Sequence, residues 1–147
     1  MVSGARGAGL HSRRVLAVTA KSPYAVRALT ELARTSASGP VPIGEIARRR
    51  DIPVQFLEGL FATLRRAGIL QSQRGVKGGY LFARPPAEVS VLEVVEVLEG
   101  DLAAEVGEPN TIWTEALDAY RGVLGDVTIA EMAEREARAG GATMYHI

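Results

Sequence analysis

The chain has 147 residues, 47% of them apolar, no cysteine and a formal net charge of zero. This composition supports one folded core with an appendage, and it excludes disulfides, thiolate catalysis and metal clusters held by cysteine sulfur. With only two histidines, no long apolar run and no secretory signal at the start, we expect no metal site, no membrane contact and a cytoplasmic location.

The zero net charge hides a strong asymmetry along the chain. Residues 1–84 hold 14 basic and 4 acidic residues, whereas residues 85–147 hold 3 basic and 13 acidic ones. A basic half joined to an acidic half indicates a module that binds a polyanion and a second module that stays away from it. The alternative is that the two halves attract each other within the fold.

The basic half begins with a flexible arm, which the glycines, serines and arginines of residues 1–15 predict. A first helix is predicted over Ser22–Arg34, where apolar residues recur on one face. After a loop at 35–40, a second helix is predicted over Ile43–Arg50, and it ends in three consecutive arginines. Those arginines either complement the helix dipole or reach phosphates.

A break of three residues separates the second helix from a third, predicted over Val54–Ala67 with Gly68 as its left-handed cap. Two strand-like runs follow, Ile69–Gln73 and Tyr80–Phe82, joined by a basic and glycine-rich hairpin. Two helices with so short a turn are typical of a helix-turn-helix, and the hairpin that follows is typical of a wing. The alternatives are a helical hairpin in a core and a plain surface hairpin.

The acidic half is also predicted to be helical. Ser90 and Glu93 form a capping box at the head of a fourth helix, and Thr128 and Glu131 form another at the head of the last helix. Between them, the acidic loop at 100–109 lacks the spacing of a calcium-binding loop, so we expect it to be solvated.

A helix predicted over 110–127 carries an apolar seam whose members alternate by four and three residues. About two heptads are too few for an independent coiled coil. The seam therefore packs either against the same helix of a second subunit or within the protomer's own core. The predicted dimer-interface residues are Trp113, Leu117, Tyr120, Leu124 and Val127.

Six short runs spread over residues 16–138 carry a family resemblance. They are Tyr24–Leu29, Gly39–Ala47, Phe56–Glu58, Leu64–Gly68, Arg74–Tyr80 and Val123–Met132. In combination, and above all through the R-G-x-x-G-G-Y wing, they are similar to the Rrf2 family (the IscR-like regulators) of winged-helix transcription factors.

The resemblance implies a mainly α fold, in which a winged helix-turn-helix with a two-stranded wing precedes C-terminal dimerisation helices. It divides the chain into the basic arm at 1–15, a DNA-binding domain at 16–86 and an acidic helical dimerisation region at 87–147. It also implies a homodimer on an inverted-repeat operator in double-stranded DNA, with the helix Val54–Ala67 as the recognition helix.

The resemblance also assigns residues to base and groove contacts. Gln55, Glu58 and Gly59 match the base-contacting face of the family's recognition helix. The chemistry agrees, because Gln pairs with adenine and Glu accepts from the amino group of cytosine. Arg74 matches the wing arginine that reaches into the minor groove, where negative potential attracts a guanidinium.

Phosphate contacts are expected from side chains around this face. Lys21 and Tyr24 match family positions near the DNA backbone. Further cations on the helices and the wing suit sequence-independent contacts with phosphate oxygens. These are Arg48, Arg49, Arg65, Arg66 and Lys77.

In one place the chain departs from the family. Members that bind an iron–sulfur cluster carry cysteines in the loop before the dimerisation helix, whereas the loop at 100–109 has none. Some relatives also use a carboxylate near the start of the first helix, where this chain has Pro23. We therefore expect no cofactor, and an effector that is a small molecule or a protein partner.

The sequence thus predicts a cytoplasmic, homodimeric DNA-binding transcription regulator that acts as a repressor. The alternative is a winged-helix protein–protein module that docks an acidic partner, and the density of arginine on the helix-turn-helix and wing favours DNA. An enzyme is disfavoured because no nucleophile–base pair is recognisable.

Overall fold

The computed structural model describes residues 18–101 and 111–145. Within these residues the helices are α1 (Lys21–Thr35), α2 (Ile43–Arg50), α3 (Val54–Arg66), α4 (Val91–Glu99), α5 (Ile112–Gly125) and α6 (Ile129–Tyr145). Strands β1 (Leu70–Gln73) and β2 (Gly79–Phe82) form a two-stranded antiparallel sheet, and short 3-10 turns cover Ser36–Ser38 and Pro86–Glu88. The predicted arm at 1–15 and most of the acidic loop at 100–109 lie outside the described residues.

The order helix, turn, helix and hairpin defines a winged helix-turn-helix, and helices α4 to α6 follow it. The predicted fold class is therefore confirmed. One of the two hydrogen bonds of each predicted capping box forms: the Ser90 hydroxyl accepts the Glu93 N–H at 3.0 Å, and the Thr128 hydroxyl accepts the Glu131 N–H at 3.1 Å. Such caps satisfy N–H groups that have no partner inside the helix.

The hydrophobic core lies between α1, α2, α3 and the inner side of the sheet. It is built from the apolar stripes that the sequence periodicity predicts, and burial of each large side chain stabilises the fold by about 1.5–3 kcal/mol. The largest fully buried residues of this part are Leu29, Leu32, Ile46, Leu57, Phe61, Leu64, Ile69 and Leu70.

The C-terminal helices are joined to this core by backbone pairing as well as by packing. The Val91 N–H donates to the Val127 carbonyl, and the Ile129 N–H donates to the Val89 carbonyl, each at 2.9 Å. Val89 and Ile129 are themselves fully buried. The start of α4 and the start of α6 are therefore held side by side.

The wing is a hairpin with a fixed register. Leu70 lies opposite Phe82 and Gln73 lies opposite Gly79. Beyond the hairpin, Tyr80 exchanges two backbone hydrogen bonds with Val41, at 2.8 and 3.1 Å. The loop before α2 thus acts as a third pairing partner and holds the wing against the helix-turn-helix.

Two glycines make this pairing possible. Gly79 has φ +154°, and a Cβ there would overlap the Val41 backbone. A Cβ on Gly78 would overlap the carbonyl oxygen of Gln73. The glycine pair of the wing is therefore required by the fold itself.

The two halves of the chain are also tied by charge. Arg50, the last residue of α2, donates from Nε to Glu31 of α1 at 2.8 Å and from Nη2 to Glu136 of α6 at 2.6 Å. Arg34 reaches the same Glu136 at 3.1 Å, and Arg84 pairs with Glu93. Opposite charges from the basic and acidic halves therefore do meet within the fold, as the alternative to separate modules expected.

We expect Gly79→Ala to lower the free energy of unfolding by about 1–3 kcal/mol, because the side chain strains the backbone and displaces Val41. Urea denaturation measures this. Gly140→Ala is the matched control, since nothing lies within 4 Å of a Cβ at that exposed position of α6. An unchanged midpoint for Gly79→Ala would show that the wing does not depend on this close approach.

A second prediction concerns Glu136, whose pKa lies below its usual value because Arg50 hydrogen-bonds the carboxylate. Glu136→Gln should lower the free energy of unfolding near pH 7 by about 1–3 kcal/mol. A carboxyl whose folded-state pKa is depressed stabilises the fold fully above its unfolded pKa of about 4.3, and loses that contribution as pH falls through the folded-state value. The two proteins should therefore begin to converge in stability as the pH falls below the unfolded pKa, and converge fully only below the folded-state pKa.

Glu134→Gln is the control for this titration. Its side chain is 69% exposed and lies 3.7 Å from Arg138 on the same helix, so its loss should change stability by less than about 0.5 kcal/mol. If Glu136→Gln behaves like this control, the pair with Arg50 contributes nothing measurable.

Candidate nucleic-acid interface

The turn between α2 and α3 sets the angle at which α3 leaves the core. Asp51 ends α2 in the left-handed conformation, with φ +53°, which a short polar residue tolerates better than most. The next residue, Ile52, is buried and its N–H donates to the Ala47 carbonyl at 2.9 Å. Pro53 is the N-cap residue immediately before α3, where a missing N–H removes no hydrogen bond of the helix.

Helix α3 buries one face and exposes the other. Leu57, Phe61 and Leu64 are fully buried, so helical spacing directs the intervening positions outward. Gln55, Glu58 and Gly59 are all exposed, and they lie on this outer face. The structure thus brings the three predicted base-contacting residues together.

Gly59 has no role in the fold that the structure shows. It lies inside a helix, where glycine costs about 1 kcal/mol relative to alanine. A Cβ at this position would meet nothing within 4 Å. In contrast to the wing glycines, Gly59 leaves space on the outer surface for something that approaches closely.

The start of α1 lies beside this face. Lys21, Gln55, Gly59 and Thr63 share a cleft of about 350 Å³ between α1, α3 and the end of α4. Lys21 therefore lies beside the outer face of α3.

Tyr24 supports the same region. Its ring packs edge-on against Phe56 of α3, with 5.5 Å between centroids, and the Arg27 guanidinium lies 5.5 Å from the Tyr24 centroid. Arg27 also donates to the Arg50 carbonyl at 2.7 Å. Sequence reasoning missed Arg27, because its hydrogen-bond partner, the Arg50 carbonyl, is 23 residues away along the chain.

Glu99 is a second residue that sequence reasoning missed. Its carboxylate, at the end of α4, accepts from the Ser22 hydroxyl at 2.8 Å and from the Thr19 hydroxyl at 2.9 Å. A negative charge at a helix N-terminus is favourable. Glu99 therefore fixes the start of α1, and with it the position of Lys21.

The wing and the end of α3 present further cations. Arg65 donates to the Ser72 hydroxyl of β1 at 3.1 Å, and Arg66 donates to Thr63 at 3.2 Å. Arg74 and Lys77 are exposed on the wing. Within the described residues, no carboxylate lies in salt-bridge distance of these four side chains, so their charge faces outward.

The arginines at the end of α2 differ from this pattern. Arg49 pairs with Glu31 at 3.1 Å and also with Glu45, and these carboxylates raise its pKa. A phosphate would have to compete with both carboxylates for Arg49. The ion pair of Arg48 with Glu45 is long, at 3.9 Å, and the Arg48 side chain is 73% exposed. Of the two predicted phosphate ligands on α2, Arg48 is therefore the better placed.

The predicted dimer seam divides between the core and the surface. Leu117 is 4% exposed and is part of the protomer's core, and Tyr120, Leu124 and Val127 pack partly against that core. Intramolecular packing, one of the two alternatives, therefore applies to Leu117, which has no free surface to offer a partner. Trp113 is 54% exposed.

Two apolar residues outside the predicted seam are exposed on the same helix. Ile112 and Val123 are 65% and 67% exposed. The a/d spacing missed them because it selects the face of α5 that packs against α4, and Ile112 and Val123 lie next to that face.

The fold and this surface define a winged-helix DNA-binding protein. The family model described as Rrf2, iron-dependent transcriptional regulator, matches residues 18–135. The HTH-type transcriptional regulator IscR of Cronobacter sakazakii is 31% identical over 131 residues, covering 81% of each chain, and that of Escherichia coli is 30% identical with the same coverage. The chain belongs to the Rrf2 family and is a transcriptional regulator, not an enzyme.

Solved structures agree with this assignment. T. potens IscR is 34% identical with a TM-score of 0.73, over 84% of this chain and 90% of that one. CymR, the global cysteine regulator of B. subtilis, is 28% identical with a TM-score of 0.75, over 82% of this chain and 98% of that one. Of the described helices, none is both long and apolar enough to cross a membrane.

The family description implies iron, and the donor set of this chain does not fit an iron–sulfur cluster held by thiolates. The sequence contains no cysteine, and such clusters are bound by cysteine sulfur, with histidine replacing only part of the set. Across 18–101 and the described C-terminal helices, no three His, Asp or Glu side chains come together as metal ligands.

We expect Gly59→Ala to separate stability from DNA binding. The free energy of unfolding of the variant should be about 0.5–1 kcal/mol higher than that of the wild type, because alanine favours the helix. It should also bind DNA about tenfold more weakly, since the added methyl occupies the space left at the outer face. Fluorescence anisotropy with a duplex selected from genomic fragments by the purified protein measures the affinity.

Gly140→Ala again serves as the control. It should gain stability in the same way and leave the affinity for DNA unchanged. Equal affinity for Gly59→Ala and the wild type would mean that the outer face of α3 does not approach DNA at this position.

Proposed function

We propose that this cytoplasmic regulator is a homodimeric repressor that binds an inverted-repeat operator, with α3 in the major groove and the wing in the adjacent minor groove. The observation that carries the proposal is the outer face of α3. Gln55 and Glu58 stand exposed beside the gap at Gly59, and cations without carboxylate partners surround them. Such a surface can read base edges at its centre and hold phosphates at its rim.

Base contacts and phosphate contacts lie at different positions on this surface. Gln55 and Glu58 are suited to adenine and cytosine, respectively. Lys21, Arg65 and Arg66 stand around them, so they orient the helix on the duplex without reading sequence. A carboxylate in the centre of a cationic surface weakens nonspecific binding, because it repels phosphate, and it therefore favours selectivity.

Arg74 and Lys77 extend this surface through the wing. Both are exposed, and the backbone pairing of Tyr80 with Val41 fixes the wing relative to α3. A guanidinium on a rigid hairpin beside a major-groove helix is positioned for the narrow minor groove of an A·T-rich flank.

A homodimer follows from the symmetry of an inverted repeat. Two recognition helices must lie one helical turn apart, about 34 Å, to enter successive major grooves on one side of the duplex. The exposed apolar residues of α5 lie on the acidic half, whose charge keeps it away from phosphates. Since no thiolate can hold a cluster, we expect the effector to be a small molecule or a protein partner.

The decisive experiment is a salt series of DNA binding by the wild type and two wing variants. If the dimer neutralises about eight phosphates, log affinity should fall with log salt at a slope of about −7. Arg74→Ala should weaken binding mainly to duplexes with A·T-rich flanks. Lys77→Ala is its neighbour control and should weaken binding evenly on all sequences, with a shallower salt slope.

Two outcomes would contradict the proposal. Equal weakening by Arg74→Ala on every flank would make Arg74 a phosphate contact instead of a minor-groove reader. An absence of DNA binding in dilute buffer, together with binding to an acidic protein, would favour the winged-helix protein–protein module.

A further inference from the structure

Exposed aliphatic side chains occur at two places in the winged part of the chain. Of the large apolar residues that the structure describes up to residue 86, only Val54 and Val76 are exposed, the first by 41% and the second fully. Val54 is the first residue of α3, and Val76 lies between the two strands of the wing. Both valines therefore stand on the surface that faces DNA in the proposed function.

Val54 contributes little to the fold. It belongs neither to the buried core nor to the partly buried side chains that pack against that core. The positions of a hydrophobic staple at the start of α3 are occupied by Ile52 and Leu57, and both are buried. A β-branched residue is also a weaker helix former than alanine. The methyl groups of Val54 are therefore available to something outside the chain.

Val54 lies beside the predicted base contacts of α3. It is four residues before Glu58, so the two are neighbours on the helix surface and about 6 Å apart along its axis. Gln55 adjoins Val54 and is exposed as well. The first turn of α3 carries no acidic residue, so the positive end of the helix dipole can approach phosphates without repulsion from that turn. This end of the helix thus presents an apolar group next to two polar ones.

We propose that Val54 reads the C5-methyl group of a thymine in the bound DNA. This rests on the proposed placement of α3 in the major groove. Among the groups at the base edges of that groove, the thymine methyl alone is apolar. Against an amino group or a carbonyl, the Val54 side chain would exclude water and return no hydrogen bond. Contact with Val54 therefore favours thymine and disfavours the other bases.

The dimensions of the two helices place this thymine in the site. A recognition helix contacts bases mainly from its N-terminal residues, and Val54 is the first of these in α3. Its axial separation from Glu58, about 6 Å, corresponds to about two base-pair steps of about 3.4 Å. The thymine that Val54 contacts should therefore lie within about two base pairs of the cytosine read by Glu58.

Deoxyuridine tests the contact, because it differs from thymidine only by the missing methyl group. The probe is the duplex selected from genomic fragments by the purified protein, with each thymidine of the bound site replaced in turn by deoxyuridine. At one position near the base pair where Glu58→Ala relaxes the preference, the replacement should weaken binding of the wild type about fourfold, as expected for one buried methyl group. Fluorescence anisotropy measures the affinity.

Val54→Ala removes two methyl groups from the protein side of the same contact. The variant should bind the thymidine duplex at least about fourfold more weakly than the wild type does. It should bind the thymidine and deoxyuridine duplexes equally, because residues in contact do not contribute additively.

Val76→Ala is the matched control, since it removes the same two methyl groups from the wing. The minor groove displays no methyl group of a base, so this variant should keep the fourfold difference between the two duplexes. Neither valine packs against the core, and circular dichroism should therefore show the wild-type helical spectrum for both variants.

Each other result overturns a distinct statement. A wild type that binds every deoxyuridine duplex as tightly as the thymidine duplex would overturn the methyl contact and leave DNA binding intact. A fourfold difference that persists in Val54→Ala would assign the methyl to another side chain, such as the half-buried Ala62, and would also overturn it. If the wild type bound no duplex at all, the proposed function itself would fail, and the methyl contact with it.

Discussion

The position of the helix-turn-helix relative to the last helix depends on Arg50. Its guanidinium lies between Glu31 and Glu136, and only 15% of its side chain is exposed. Removing either carboxylate would leave the largely buried guanidinium with one partner in place of two, which costs stability. The planar fork of arginine can satisfy both carboxylates at once, whereas the point charge of a lysine cannot. Through this contact α1, α2 and α6 form one unit.

The same residue type serves two purposes in this protein. Arg49 and Arg50 face carboxylates and hold the helices together, whereas Arg65, Arg66 and Arg74 face outward from α3 and the wing. The charge asymmetry of the sequence is thus only partly a nucleic-acid signal, because some of the basic half neutralises the acidic half internally. The glycines also serve two purposes. Gly78 and Gly79 permit close backbone packing in the wing, whereas Gly59 leaves space on the outer face of α3.

Local patterns were sufficient for much of the fold and for the exposure of one face of α3. The period of apolar residues located α1 to α3, and the short break before Pro53 indicated the turn. The exposed trio Gln55, Glu58 and Gly59 followed from the same period, since burying one face of a helix exposes the other. The capping residues Ser90 and Thr128 were readable because a cap depends only on neighbours within one helical turn.

What the sequence determined by itself was therefore the identity of the helices, the wing and the face that α3 presents, because these depend on contacts between near neighbours. The tertiary structure alone decided which arginines pair with carboxylates. Arg50 and Glu136, for example, are 86 residues apart, and no local pattern pairs them. It also decided that Leu117 belongs to the core while Ile112 and Val123 stay exposed. A helix with apolar residues on more than one side buries whichever side its neighbours cover, and that depends on the packing of α4 and α5.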